Sequence, residues 1–121
     1  MNKPRIKLMM AGKIVTAAID TGSNYSILTS KGLDSLDLDV VNLRKTHLSL
    51  TSATNNRIHI RGKIDLPIQF GELSKGVKFS FFVVENIDLK EECLVGMDFF
   101  TNFSCSMEFC IEGIIHRKYI G

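Results

Sequence analysis

The sequence predicts a mainly β domain, and three observations carry that expectation. Apolar and polar residues alternate across Leu43–Ser52 and again across Arg57–Phe70, the period of a half-buried strand. Apolar runs flank short gaps that carry glycine, as in β-hairpins: Arg5–Met10 and Lys13–Ile19 around Ala11-Gly12, and Cys105–Ile111 and Ile114–Ile120 around Glu112-Gly113. Only Met97–Phe103 shows a helical face, with Phe99, Phe100 and Phe103 at i, i+1 and i+4. At 121 residues, 45% hydrophobic and 23% charged, the chain suits one domain over 1–121 with a modest core.

Taken in order, the second run of the first hairpin delivers Asp20 to a turn. Ser26–Thr29 reads as a short strand, and Ser30–Val40 as a single helical turn or a loop. Leu43–Phe70 reads as one long hairpin with its tip near Ala53–Asn56. Within it Gly62 shifts the register, as a bulge does, and Pro67 points to an edge or an irregular pairing. Gly71–Gly76 is turn material, Val77–Val84 a strong strand and Glu85–Glu92 an acidic loop. Cys93-Leu94-Val95 is a short strand stopped by Gly96, just before the helix. The sum is about eight strands and one short helix. Ala18-Ile19-Asp20-Thr21-Gly22 and Leu94-Val95-Gly96 echo each other as apolar strands that end at glycine turns.

The bulk properties exclude several classes. A net charge of +2, with Lys and Arg scattered, offers no basic stripe for nucleic acid. No apolar run approaches a membrane span, and Met1–Arg5 lacks the apolar core of a signal peptide. Cys93, Cys105 and Cys110 are odd in number and read as free thiols. His47, His59 and His116 make no ligand pattern, so neither a metal nor a cofactor is expected.

Asp20 is the residue that needs explaining. An apolar run leads straight into it, and Gly22 suits a tight turn beyond. A carboxylate at the end of a buried strand is costly unless it is paired or hydrogen-bonded. Asp20 therefore reads as a working group. Asp34, Asp37, Asp39, Asp65, Asp88 and Asp98 lack the same strand-and-turn setting.

The order of three motifs carries a resemblance. They are Ala18–Ser23 with Ile27-Leu28, then Ile60–Ile68, then Leu94-Val95-Gly96-Met97-Asp98-Phe99. On these the chain resembles the retroviral-type aspartic proteases (retropepsins), most closely those of gypsy-type LTR retrotransposons. The resemblance implies a closed β-barrel that is half of an acid-protease fold, completed by homodimerisation. It implies an endopeptidase that processes a polyprotein, in the cytoplasm or within virus-like particles. Two carboxylates share one proton there, with no metal or nucleophilic side chain. The single Asp-Thr-Gly means that each copy supplies one Asp20.

By the same resemblance Asp20, Thr21 and Gly22 form the catalytic turn. Thr21 would bond across the dimer axis, and Gly22 would let substrate approach closely. Ser23, Asn24, Ile27, Ala53, Thr54 and Leu94 would bind substrate, Ile27 and Leu94 as walls of apolar subsites, with Val95 in the core. Leu43–Phe70 would be the flap. Ser23 is expected to donate its hydroxyl to Asp20 and so extend activity into acid. Two departures stand out. Asn24 and Met97 replace the acidic and Arg residues that pair at the dimer contact of some retroviral enzymes, leaving Asp98 with Asn24 as a substitute. The hairpin after Phe109 suggests a different dimer sheet. The alternative reading is a domesticated, catalytically idle dimerisation or peptide-binding module, and a third is a cellular ubiquitin-shuttle protease domain.

Overall fold

The computed structural model of the chain describes residues 3–38, 43–47, 50–51, 57–69, 77–85 and 90–102. Strand β1 (Arg5–Met10) buries Ile6, Leu8 and Met10 and exposes the residues between, as its alternation requires. It pairs antiparallel with β2 (Lys13–Ile19) through a two-residue turn in which Ala11 and Gly12 both have positive φ, 48° and 84°. Turns of that hand match the twist of the strands they join. At the far end of β2 alternation gives way to continuous burial over Ala17, Ala18 and Ile19.

Strand β3 (Ile27–Thr29) runs into helix α1 (Ser30–Ser35). The expectation for Ser30–Val40 left helix and loop open; Ser30–Ser35 is helical and a turn follows it. Thr29 caps it by accepting from Gly32 N–H at 3.2 Å, while Leu33 and Leu36 enter the core.

The long hairpin is present as β4 (Leu50–Thr51) against β5 (Arg57–Gln69). Its tip lies outside the described residues. Among the described residues the strand expected across Leu43–Ser52 is not continuous: Arg44 makes one isolated bridge, to Lys63, and residues 45–47 lie outside any strand. Strand β5 shifts register between Ile60 and Gly62, the bulge its glycine suggested. A Cβ on Gly62 would sit 2.7 Å from that of Leu43, so the glycine admits the crossing segment. Pro67 differs from expectation, because it lies in register with Lys78 of strand β6 (Val77–Glu85). Its carbonyl accepts from Ala11 N–H at 3.1 Å, so its missing N–H faces the β1–β2 turn, past the end of β1, where the ladder asks for no donor.

Strand β7 (Cys93–Val95) and helix α2 (Met97–Asn102) complete the described elements. The order β1-β2-β7-β3-β6-β5 closes because β5 also pairs with β1, at Met9↔Gln69 and Met10↔Ile68. The result is a closed six-stranded barrel, as expected, with β4 outside the ring. The final hairpin expected over Cys105–Ile120 lies outside the described residues.

Helix α2 is riveted to the barrel by aromatics. Phe99 is fully buried and meets Phe79 edge-on at 5.5 Å; Phe79 meets Phe81 at 5.0 Å, and Phe99 meets Phe100 at 5.5 Å. Each such pair is worth about 0.5–1.5 kcal/mol beyond the area it buries. That matters because the N-terminal end of α2 faces Asp20's loop.

The segment before β4 is tied down by charge. Arg44 donates to Asp65 at 2.6 Å, and Ser80 donates to the same carboxylate oxygen. The Ser80 hydroxyl above all, and then Arg44, holds the Asp65 carboxyl below its ordinary range, against partial desolvation. A carboxyl depressed on folding adds stability that is complete above its unfolded value, near 4, and is lost as pH falls through the lower folded value. Urea unfolding across a pH series should therefore show a shallower loss of stability below about pH 4 in Asp65→Asn than in the unaltered chain. Equal slopes would remove Asp65 from the acid response.

Candidate active site

Asp20 stands one residue beyond β2, where a fully covered strand opens. Its N–H donates to Val95 O at 2.9 Å, and its carbonyl accepts from Ser23 N–H at 3.2 Å, closing a tight turn over Asp20–Ser23. Its side chain is partly exposed. Oδ1 accepts from Gly22 N–H at 3.1 Å, and Oδ2 lies 3.6 Å from Lys3 Nζ. Thr21 and Gly22 are both exposed at the crest of the turn.

Gly22 is not needed for its backbone conformation, contrary to the turn argument from sequence, since its φ is not positive. A Cβ there would lie 3.4 Å from Asp20 Oδ1, an ordinary contact. Among the described residues nothing demands the glycine.

The two echoing motifs are neighbours. Strand β7 pairs parallel with β2, Ala18 beside Leu94 and Ile19 beside Val95, so both strands end at one level. The loops that follow them interlock. Three successive amides donate across: Gly96 to Ser26 Oγ at 3.0 Å, Met97 to Ser23 O at 2.8 Å and Asp98 to Asn24 O at 3.2 Å. In return Ser26 donates its N–H and its hydroxyl to the two Asp98 oxygens, at 3.0 and 2.6 Å. The amides at the start of α2, which lack partners within the helix, are thus satisfied by Asp20's own loop.

The expectations for Ser23 and Asp98 need correcting in detail. The Ser23 hydroxyl donates to Tyr25 O at 2.8 Å, a local turn, and so is not the donor that meets Asp20; that is Gly22 N–H. The Asp98 carboxylate engages Ser26, and only its amide meets Asn24. Asn24 itself is exposed. Ile27 and Leu94 lie opposite each other on β3 and β7. With Ala18 and Val84 they form a small apolar cluster separate from the main core, against which Ile58 and Ile60 of β5 pack half-buried. Ala18 and Asp20 are two residues apart and share a face, so this cluster lies on Asp20's side of the sheet. Val95 points the other way, into the main core. Ala53 and Thr54, and with them Cys105, Cys110 and His116, lie outside the described residues. Cys93 is free and wholly buried; burial above all, with the Asp98 and Glu92 charges adding, pushes its thiol upward and keeps it protonated.

Ser26 and Lys3 escaped the reading of the sequence, and Asp98 was given a different partner. Ser26 and Asp98 lie 72 positions apart and no local pattern joins them. Lys3 was legible in principle, because the turn at Ala11-Gly12 sets the register that carries it to Asp20.

Comparison with known proteins agrees with this geometry. Residues 6–102 match the family model described as "gag-polyprotein putative aspartyl protease". No curated protein matches the chain. Among solved structures, EIAV protease complexed with the inhibitor HBY-793 superposes with a TM-score of 0.69 at 13% identity, over 88% of this chain and 92% of that one. The retroviral protease-like domain of Ddi1 from Leishmania major gives 0.65 at 17%, over 86% and 79%. A retropepsin-like aspartic protease from Rickettsia conorii gives 0.53 at 21%, over 81% and 69%. At these identities the likeness is one of fold.

The interlock makes Gly96 critical. A Cβ there would lie 2.6 Å from Tyr25 O and 2.8 Å from Ser23 O, both backbone atoms. Gly96→Ala should cost about 1–3 kcal/mol of stability in chemical denaturation, as overpacking does. A change under about 0.5 kcal/mol would mean that the two loops are not locked.

Proposed function

The chain belongs to the gag-polyprotein aspartyl protease family of retropepsin-like proteins, and from that membership we propose that it is an aspartic endopeptidase that processes a polyprotein as a homodimer. The observation that carries the proposal is the single Asp-Thr-Gly turn, which holds a partly exposed carboxylate at the rim of an apolar cluster. A dyad needs two such carboxylates, and among the described aspartates Asp20 alone occupies such a turn; the second is the Asp20 of another copy, related by a two-fold axis.

The chemistry then follows from the pair. Two adjacent carboxylates cannot both stay ionised, so they share one proton and titrate as a unit. The ionised member takes a proton from water, whose oxygen attacks the scissile carbonyl. The protonated member gives its proton to the carbonyl oxygen. Collapse of the resulting gem-diol breaks the C–N bond, with a proton delivered to the leaving nitrogen. Gly22 N–H fixes the carboxylate through Oδ1, an orienting bond made before substrate arrives.

Gly22 supports the same reading. Since no described residue opposes a Cβ at that position, the space over it suits another group, and a substrate backbone is the group that fits. Thr21, exposed beside it, faces the second copy. Ile27 and Leu94, with Ile58 and Ile60 above them, form an apolar wall for side chains flanking the scissile bond. Ser23 and Asn24 border that wall, and the β4–β5 hairpin with Ala53 and Thr54 near its tip covers the cleft as a flap. A retrotransposon source of the gypsy kind suits the order of motifs.

Peptide-library cleavage at mildly acid pH, read by mass spectrometry, tests the proposal. Asp20→Asn should lower cleavage by at least about 10³-fold. Gly22→Ala should keep its melting temperature within about 3 °C yet lose most activity. Cleavage that survives Asp20→Asn overturns the enzyme reading and leaves an idle binding module.

A further inference from the structure

The apolar wall beside Asp20 does not end at Val84. Strand β6 turns Phe79, Phe81 and Val83 into the main core, so Phe82 and Val84 share the opposite face, that of the wall. On β5 the register shift at Gly62 keeps that face in use. Ile60 lies across from Val84, and Lys63, three residues on, lies across from Phe82. In an unbulged strand that odd spacing would send the lysine to the other face. The bulge therefore sets a cation where the wall's next side chain would stand.

Lys63 borders a groove of about 340 Å³. The groove has an aromatic floor: Tyr25, just past the Asp20 turn, meets Phe82 edge-on, with ring centroids 5.3 Å apart. The Lys63 ammonium stands over the Phe82 ring, 5.2 Å from its centre. Lys78 lines the groove from β6, and Asp98 from α2. The charges are unevenly engaged. Both Asp98 oxygens accept from Ser26, and Asp65, across from Ser80, is held by Arg44 and Ser80. The Lys78 charge reaches Asp65 only as the weakest of its influences. Among the described residues no carboxylate lies within ion-pair distance of Lys63 or Lys78. An aromatic floor keeps water from one side of a bound anion, which strengthens its attraction to the two ammoniums.

We propose that this groove reads an acidic side chain of the peptide substrate, at a position beyond the pair that flanks the scissile bond. The inference rests on the proposed endopeptidase. An extended substrate lying along the wall sets successive same-side residues about 7 Å apart. An apolar residue then meets Ile27 and Leu94, and a Glu or Asp further out meets Lys63 and Lys78. Lys78 is exposed and Lys63 half-buried, so each contact is modest and tunes the choice among cleavage sites.

Peptide pairs that differ only in Glu against Gln at each outer position read the preference as a ratio of kcat/KM. At one outer position the unaltered chain should favour the Glu peptide about three- to tenfold, and added salt should shrink that ratio. Lys63→Gln with Lys78→Gln should bring the ratio within about twofold of unity, and Lys63→Arg should keep it. Lys63→Glu with Lys78→Glu should favour a Lys peptide instead. Fluorescence anisotropy of the same peptides on the Asp20→Asn chain reads binding without turnover, and the Glu peptide should bind more tightly by a like factor. A ratio near one at every outer position, or one that survives the double Gln substitution, overturns the groove's role. Equal competition by inorganic phosphate or by a single-stranded oligonucleotide makes it a general anion site and overturns it as well. A Glu preference in binding with no cleavage of any peptide upholds the groove and overturns the proposed activity.

Discussion

Two parallel strands that end side by side set the position of everything at Asp20. Strands β2 and β7 stop at the same level, and Asp20 N–H closes the last rung on Val95 O. Beyond that rung the amides of Gly96, Met97 and Asp98 find their partners in the other loop. Each is completed by the other, through Gly96, Met97 and Asp98 in one direction and Ser26 in the other. Buried backbone groups left without partners are expensive, so the exchange fixes both loops together. Helix α2 then transmits the core to the site. Phe99 and Phe100 hold the helix in the barrel, and the helix holds Ser23–Ser26.

This rigidity suits an incomplete site. One protomer supplies a carboxylate, an orienting amide and an apolar wall, all on one side of a turn whose crest is exposed. Among the described residues the partners of the Asp20 carboxylate are Gly22 N–H and, from the N-terminal end of the first hairpin, Lys3 Nζ.

Much of the fold was legible because its signals are local. The hairpin around Ala11-Gly12, the bulge at Gly62, strand Val77–Val84 and the aromatic face after Gly96 each follow from neighbours in sequence. The errors arose where partners are distant. Thr29 caps α1 while its own hydroxyl donates to the carbonyls of Glu91 and Glu92, so that short helix depends on a loop far along the chain. Alternation across Leu43–Ser52 suggested a strand, but alternation reports exposure and not pairing; among the described residues only Arg44 bridges before β4. Pro67 sits inside the ladder because β1 ends beside it. At the site, Asp20 and its turn were readable from residue types. The Ser23 hydroxyl was assigned to the nearest acid, whereas its geometry favours the nearer carbonyl of Tyr25. Gly22 was read both as a turn glycine and as room for substrate; its φ is not positive, so the turn does not require it.

The central claim is that Asp20 is half of a site completed by a second copy. Unaltered and Asp20→Asn chains refolded together in varying proportions, at a fixed total concentration well above the dissociation constant, test it most directly. If each site needs two intact Asp20 residues, cleavage should fall as the square of the unaltered fraction. A linear fall would show that each chain carries a complete site of its own.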